Sequence, residues 1–249
     1  MYKYVVLLFL VCIAITPLSS RVYALETTTI SVTADSSVFS GKPDLNRGSA
    51  DYLYVGETTH YPSTKSIART WLKFDLSSLP EDIVITKAEL WVYFEQYQGN
   101  GAAGGIAVYF SSDDTWAETG ITWNNQPSFE GSASDAIPQF TGWNQWKKFN
   151  VTTDVQNEYA GDKVVSWCLR AVNEPDSPTT GWDNNVADSK EGSTQYAPYL
   201  YIEYEITPQF VIPLIPFGTA VVVALGLLAF GIIILSKRNS RNIKKWTLH

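Results

Sequence analysis

Two cysteines, two histidines and one methionine are all that 249 residues hold of the side chains that most often build disulfides and soft-metal sites. Cys12 falls in an apolar N-terminal stretch and Cys168 stands alone in VVSWCLRAV, so no disulfide can staple the folded region, which must rest on its own core. Within that alternating run Cys168 reads as a buried, inert thiol. His60, in the polar loop GETTHYPSTKS, is the one histidine ahead of the C-terminal apolar segment. Its isolation excludes zinc sites made of several imidazoles and argues against a Ser-His-Asp hydrolase. Basic charge is also scarce: between Leu25 and Ile206 lie all 25 acidic residues but only 11 of the 18 basic ones, a net −14 that disfavours nucleic acid as a partner. The deficit is uneven, because Leu25–Pro80 carries five basic residues against six acidic, leaving room for a partly basic surface there.

The chain ends are apolar. MYKYVVLLFLVCIAITPLSSRVYA combines Lys3, an apolar core and small residues before Leu25, the pattern of a secretory signal over residues 1–24; an uncleaved N-terminal anchor is the alternative. VIPLIPFGTAVVVALGLLAFGIIIL, residues 211–235, carries no charge over 25 residues and is expected to cross a membrane. The tail at 236–249 has five basic residues and no acid, which predicts a cytoplasmic end at the plasma membrane and an extracellular region at 25–206. Residues 207–210 form a short linker between them. Ala220 and Ala224 give the membrane segment a small-xxx-small pair, a weak pointer to self-association.

Between these ends, period-two alternation recurs in TTISVTA, DYLYVG, TWLKFDL, ITKAELWVYF, GIAVYFS, WKKFNVT, VVSWCLRAV and PYLYIEYE, separated by Gly, Pro, Asn and Asp clusters. Such density of short strands predicts an all-β sandwich, with one short helix at TDVQNEYA where Thr153 and Gln156 have capping-box spacing. Alternation also assigns faces. Ala88, Leu90, Val92 and Phe94 are expected inward, leaving Trp91 and Tyr93 outward; Leu72, Phe74 and Leu76 inward, leaving Trp71, Lys73 and Asp75 outward. Tyr52, Tyr54, Tyr199 and Tyr201 join the outward set. Rings stacked on the apolar faces of sugars, with cations and amides reading hydroxyls and carboxylates, are the ordinary chemistry of carbohydrate binding.

One stretch reads differently. DDTWAETGITWNNQP, residues 113–127, gathers three carboxylates, two tryptophans and two asparagines, which suits either the acid/base pair of a glycosidase or one corner of a β-fold.

In order and spacing, PDLNRGSADYLYVG, RTWLKFDLSSLP, ITKAELWVYF, DDTWAETGITWNNQP, WKKFNVTTDVQ and SKEGSTQYAPYLYIEYE resemble the DNRLRE domain, also called carbohydrate-binding module family 96 and related to the disaggregatase-related repeats of archaeal surface proteins. The resemblance implies a jelly-roll-like β-sandwich that binds polysaccharide, uronic-acid polymers in its characterised branch. It gives Asp75, Trp116, Glu118, Trp123, Asn124 and Pro127 structural roles, with both tryptophans largely buried, the asparagines serving a turn and Glu118 pairing locally. The anchor also looks like those of archaeal envelope proteins. A basic and aromatic uronate face would draw on Lys42, Arg47, Lys65, Arg69, Lys73 and Tyr199, although Arg47 and Arg69 suit a carboxylate such as Asp75 equally well.

The expected function is therefore a membrane-anchored, non-catalytic polysaccharide-binding module. The alternative is a structural envelope or adhesion protein whose sandwich packs against other surface proteins. Asn150-Val-Thr is an N-glycosylation sequon, or else Asn150 serves a turn. NEPDSP, GWDNNVADS and SSDD carry calcium-type oxygens but none follows EF-hand spacing, so no cofactor or metal site is expected, with a structural calcium as the alternative.

Overall fold

Each alternating run contributes a strand to the computed structural model, which describes residues 24–59, 64–99, 103–179 and 183–206. The expected signal up to residue 23, His60, the linker, the membrane segment and the basic tail lie outside the described residues. No helix among the described residues is long and apolar enough to cross a membrane.

The elements are β1 (Ala24–Ser31), β2 (Ala34–Phe39), β3 (Tyr52–Thr58), β4 (Ser66–Asp75), β5 (Ile83–Gln98), β6 (Gly105–Ser111), β7 (Asp135–Pro138), β8 (Gln145–Asn150), α1 (Thr152–Ala160), β9 (Val164–Ala171), β10 (Asp183–Asp188) and β11 (Tyr199–Ile206). All pairings are antiparallel, in the order β1-β11-β5-β10-β3-β4-β9-β6-β7, with β2 on β4 and β8 on β5. The sheet curls round one core: residues of β1, β3 to β6 and β8 to β11 share a single apolar cluster. Leu72, Phe74, Leu76, Leu90 and Trp167 are fully buried there, each contributing about 1.5–3 kcal/mol or more. The architecture is thus mostly β and sandwich-like, and the inward set Ala88, Leu90, Val92 and Phe94 lies in the core as alternation dictates.

Long β5 organises the site. β11 runs along Ile83–Trp91 and β10 along Phe94–Gln98, while β8 pairs with Glu89–Phe94. Because β8 and β11 both meet Glu89–Trp91, they must lie on opposite edges of β5.

α1 forms where TDVQNEYA predicts a helix, but not by the expected cap. Val151 is the N-cap and donates no side-chain bond. Gln156 Nε2 instead donates to the Ile85 carbonyl at 2.7 Å, and the Thr152 hydroxyl accepts from the Ala88 amide at 2.9 Å, so tertiary bonds to β5 replace the Thr153–Gln156 box.

A second, smaller core explains residues 113–127. Val38, Trp71, Trp116, Ile121 and Cys168 form an apolar cluster on the far side of β4, beneath this loop. Trp71 points away from Leu72 as alternation requires, yet it is fully buried, because the loop covers it. Lys73 Nζ donates to the carbonyls of Asp114 and Trp116 at 2.7 and 2.5 Å, and Trp116 Nε1 donates to the Ser166 hydroxyl at 3.0 Å. Asn46 Nδ2 donates to the carbonyls of Glu118 and Ile121. At Gly48 an added Cβ would lie 2.1 Å from the Glu118 carbonyl oxygen, so the NRG turn can approach the loop only without a side chain. Trp116 is buried and Trp123 half-buried, and Pro127 is buried. Asn125 closes the turn, accepting from the Thr122 amide and donating to the Gly120 carbonyl, whereas Asn124 reaches the Asp44 carboxylate at 2.8 Å. Glu118 departs from local pairing: it accepts from the Asp35 amide at 2.9 Å and pairs with Lys190 at 2.9 Å, tying the loop to segments distant in sequence.

Candidate functional site

The outward side of β5 carries a group of rings: Trp91, Trp146, Tyr196 and Tyr199 are half-buried, whereas Tyr93, expected outward, is buried beneath Tyr196 and Trp146. Register sets the rows: Lys148, Trp91 and Tyr199 lie abreast on β8, β5 and β11, and Trp146 lies opposite Tyr93. Trp91 and Tyr199 stack in parallel, 6.0 Å between centroids at 3°. Tyr93 stacks on Tyr196 at 4.1 Å, and Trp146 meets Trp91, Tyr93 and Tyr199 edge-on at 6.5, 5.3 and 5.2 Å. Such mutual edge-to-face and stacked contacts fix the ring planes before any ligand arrives. Trp91 Nε1 and Gln139 Oε1 are buried without a hydrogen-bond partner among the described residues. Both residues line an open groove of about 360 Å³ together with Phe140, Trp146, Lys147 and Lys148. Two indoles and two ammonium groups round one groove are suited to a hydroxylated ring with an apolar face.

Charge differs at the two ends. Beside Trp91, burial alone would push the Glu89 carboxyl up, but Lys148 at 2.9 Å and Lys87 at 3.2 Å hold it below its ordinary value. Lys87 also lies 5.4 Å from the Tyr201 ring, and Lys148 the same distance from Trp91. Beyond Tyr93 the surface is acidic: burial and the neighbouring Glu95 push Asp188 up to about 6, and Glu95 with Asp188 raises the Tyr52 phenol. Tyr52 faces Asp188 across the β3–β10 ladder.

The family model for carbohydrate-binding module family 96 matches residues 26–204. The chain belongs to this family. Among curated proteins, the chain is similar to the tRNA3(Ser)-specific nuclease WapA of Bacillus spizizenii, 25% identical over 153 residues, and to the tRNA nuclease WapA of Bacillus subtilis strain 168, 26% identical over 152 residues. Each alignment covers 57% of this chain and 6% of the WapA protein, so the chain spans a small fraction of these relatives' length.

Within this family-96 module the expected binding residues divide. Trp91, Tyr93 and Tyr199 come together, with Tyr201 and Tyr52 at the margins. The rest sit elsewhere. Trp71 is enclosed by the loop, and Lys73 is spent on its carbonyls. Arg69 is half-buried against Glu174 at 2.6 Å, not Asp75, and its guanidinium lies 4.5 Å over Trp123. Asp75 instead accepts from the Ser77 amide at 2.8 Å. Lys65 donates to the Thr179 carbonyl, Lys42 is exposed in the turn after β2, Arg47 is half-buried in the NRG turn, and Tyr54 meets Phe39 edge-on at 5.8 Å. None of these basic residues of the N-terminal third joins the ring group.

Trp146 and Tyr196 are members that face assignment from β5 and β11 alone misses. The signal was present in WKKFN, where burial of Phe149 puts Trp146 and Lys148 on the other side. Trp143, 64% exposed, stands two residues before β8 on a turn whose Gly142 and Asn144 both have positive φ.

Among the described residues, two carboxylate triads have ligand atoms within 4.8 Å of one another. In the first, Asp35–Glu118–Glu191, the Lys190 ammonium already bonds Glu118 and Glu191. The second, Asp114–Glu158–Asp162, draws one member from the SSDD loop, and burial raises both the Asp114 and Glu158 carboxyls. In the other two acidic loops, Glu174 pairs with Arg69 and Arg170, and Asp183 accepts from the Tyr97 hydroxyl and the Ala103 amide.

Proposed function

We propose that the chain is a cell-surface, membrane-anchored polysaccharide-binding module that breaks no bond, with the ring group on β5, β8 and β11 as its binding face. The observation that carries the reading is the pre-stacked Trp91–Tyr199 pair bordered by Trp146, beside an open groove lined by Trp91, Trp146, Lys147 and Lys148. Family membership supports carbohydrate as the ligand class. Lys147 and Lys148 in the same groove favour a uronic-acid polymer or an anionic envelope glycan. A jelly-roll arrangement, secretion through residues 1–24 and anchoring through residues 211–235, with the tail inside, complete the proposal. A structural calcium belongs to it only as a scaffold ion at Asp114, Glu158 and Asp162.

The test is isothermal titration of the detergent-purified full chain with polyuronates and neutral glucans, alongside Trp91→Ala and Trp146→Ala. Saturable binding weakened about tenfold or more by either substitution is expected, which corresponds to about 1.4 kcal/mol. Binding indifferent to both would move the site elsewhere, and release of reducing ends from any bound polymer would refute the non-catalytic reading.

A second reading, a structural or adhesion protein packing against surface neighbours, draws on a different patch. Leu25 and Val84 are 61% and 53% exposed and both face Glu205, on either side of β11. Crosslinking in intact membranes would favour it if Val84 rather than Trp91 gave the adducts.

A further inference from the structure

Asn150 is the last residue of β8 and Thr152 the first of α1, so the sequon straddles a strand-to-helix corner. Asn150 heads the single Asn-x-Ser/Thr triplet in the sequence. Its side-chain Oδ1 accepts from the Thr152 hydroxyl at 2.7 Å and from the Thr152 amide at 3.2 Å. Those contacts would suffice for a plain turn residue. They do not account for the other half of the carboxamide. Asn150 is exposed, and its Nδ2 donates to none of the described residues. The sequon threonine thus holds the oxygen and leaves the nitrogen turned to solvent.

The surroundings offer room. Asn150 lines an open groove of about 460 Å³ whose wall includes Ser132, Ser134, Thr153, Asp154 and Asn157. Unlike the groove beside Trp91, this wall is mainly hydroxyl, amide and carboxylate, groups that can hydrogen-bond the first sugars of a chain attached at its rim.

We propose that Asn150 is an N-glycosylation site and that its innermost sugars lie in this polar groove. The reaction draws on an oligosaccharide carried by a lipid phosphate on the outer side of the membrane. Nδ2 forms a bond to sugar C1 and gives up one amide proton, the C1–O bond to the phosphate breaks, and the phosphate leaves with the electron pair and, overall, takes up that proton. The proposal rests on secretion of this segment and is independent of whether the ring group binds polysaccharide.

It is tested on full-length protein purified from the membranes of its own cells, by mass spectrometry of the peptide spanning Asn150. A glycan mass on that peptide is expected in the wild type and in Thr152→Ser, and none in Asn150→Gln or Thr152→Val. Asn150→Gln should retain the wild-type circular dichroism spectrum, which separates loss of the modification from loss of the fold. An unmodified Asn150 peptide from correctly membrane-located wild-type protein would overturn the proposal, as would a glycan that persists in Thr152→Val.

Discussion

Replacing Trp71 by alanine tests how the smaller core is built. The indole is fully buried, lies 6.2 Å from both Trp116 and Phe129, and donates from Nε1 to Gln126 Oε1 at 3.3 Å. Truncation of such a ring costs about 3–5 kcal/mol, from lost transfer energy and from the cavity that the clamped loop cannot fill. The lost hydrogen bond is at the low end of that account, since Gln126 Oε1 keeps its bond from Arg69 Nη1. For a domain of this size each kcal/mol lowers the melting temperature by about 2–4 °C, so the variant should melt about 6–20 °C below wild type. Thermal melts followed by near-ultraviolet circular dichroism give the shift, and titration well below the melt gives polysaccharide affinity. Affinity should hold, because Trp71 is on the loop face and not beside Trp91. A loss under about 1 kcal/mol, or lost binding at unchanged stability, would refute the placement of Trp71 as core.

Three further outcomes follow from the charges. Asp35 and Asp188 are raised by burial to about 7 and about 6, so between about pH 4 and pH 7 the folded state binds more protons than the unfolded one and stability falls as pH rises. Glu89, Asp75 and Asp113 are held low and lose their contribution below about pH 4, so the melting temperature should peak near about pH 4–5; a higher melt at pH 8 than at pH 5 would contradict this. Lys190→Met removes the cation shared by Glu118 and Glu191 beside buried Asp35, and should cost about 2–4 kcal/mol at pH 8 but less at pH 5, where Asp35 is protonated; equal losses in urea melts at both pH values would sink the idea. Chelation by EDTA is expected to lower the melting temperature if Asp114, Glu158 and Asp162 hold calcium, and an unchanged melt across added calcium and EDTA would remove that ion from the proposal.

Alternation was enough to place the inward residues of β4 and β5, because one face of each strand meets a continuous apolar core. It could not say what lies on the other face. Trp71 and Trp91 read alike in sequence, yet a loop some forty residues downstream encloses one, while the other is left half-buried among neighbouring rings. β10 is hidden for a different reason: DNNVAD is built from residues poor in strands, but it lies between β3 and β5, fully buried. Two of its polar side chains make tertiary bonds there: Asp183 accepts from the Tyr97 hydroxyl and the Ala103 amide, and Asn184 Nδ2 donates to the Glu57 carbonyl at 3.1 Å. The apparent catalytic stretch at 113–127 was readable as scaffold only through its resemblance to a family, since its partners Asp35, Asn46, Lys73 and Lys190 are scattered along the chain.

β11 has a mechanical meaning. It is bonded along its whole length on both sides, to β1 from Ala24↔Ile206 to Ser31↔Tyr199 and to β5 from Ile83↔Ile206 to Trp91↔Tyr199. Inter-strand bonds run across the strand axis, so tension entering at Ile206 along that axis would load both ladders in shear, with many bonds sharing the force, rather than opening them one by one. Tyr199, at the opposite end of the same strand, stacks on Trp91. If the proposed face holds a polymer and the proposed anchor holds the chain, a drag force on that polymer would pass through one doubly braced strand.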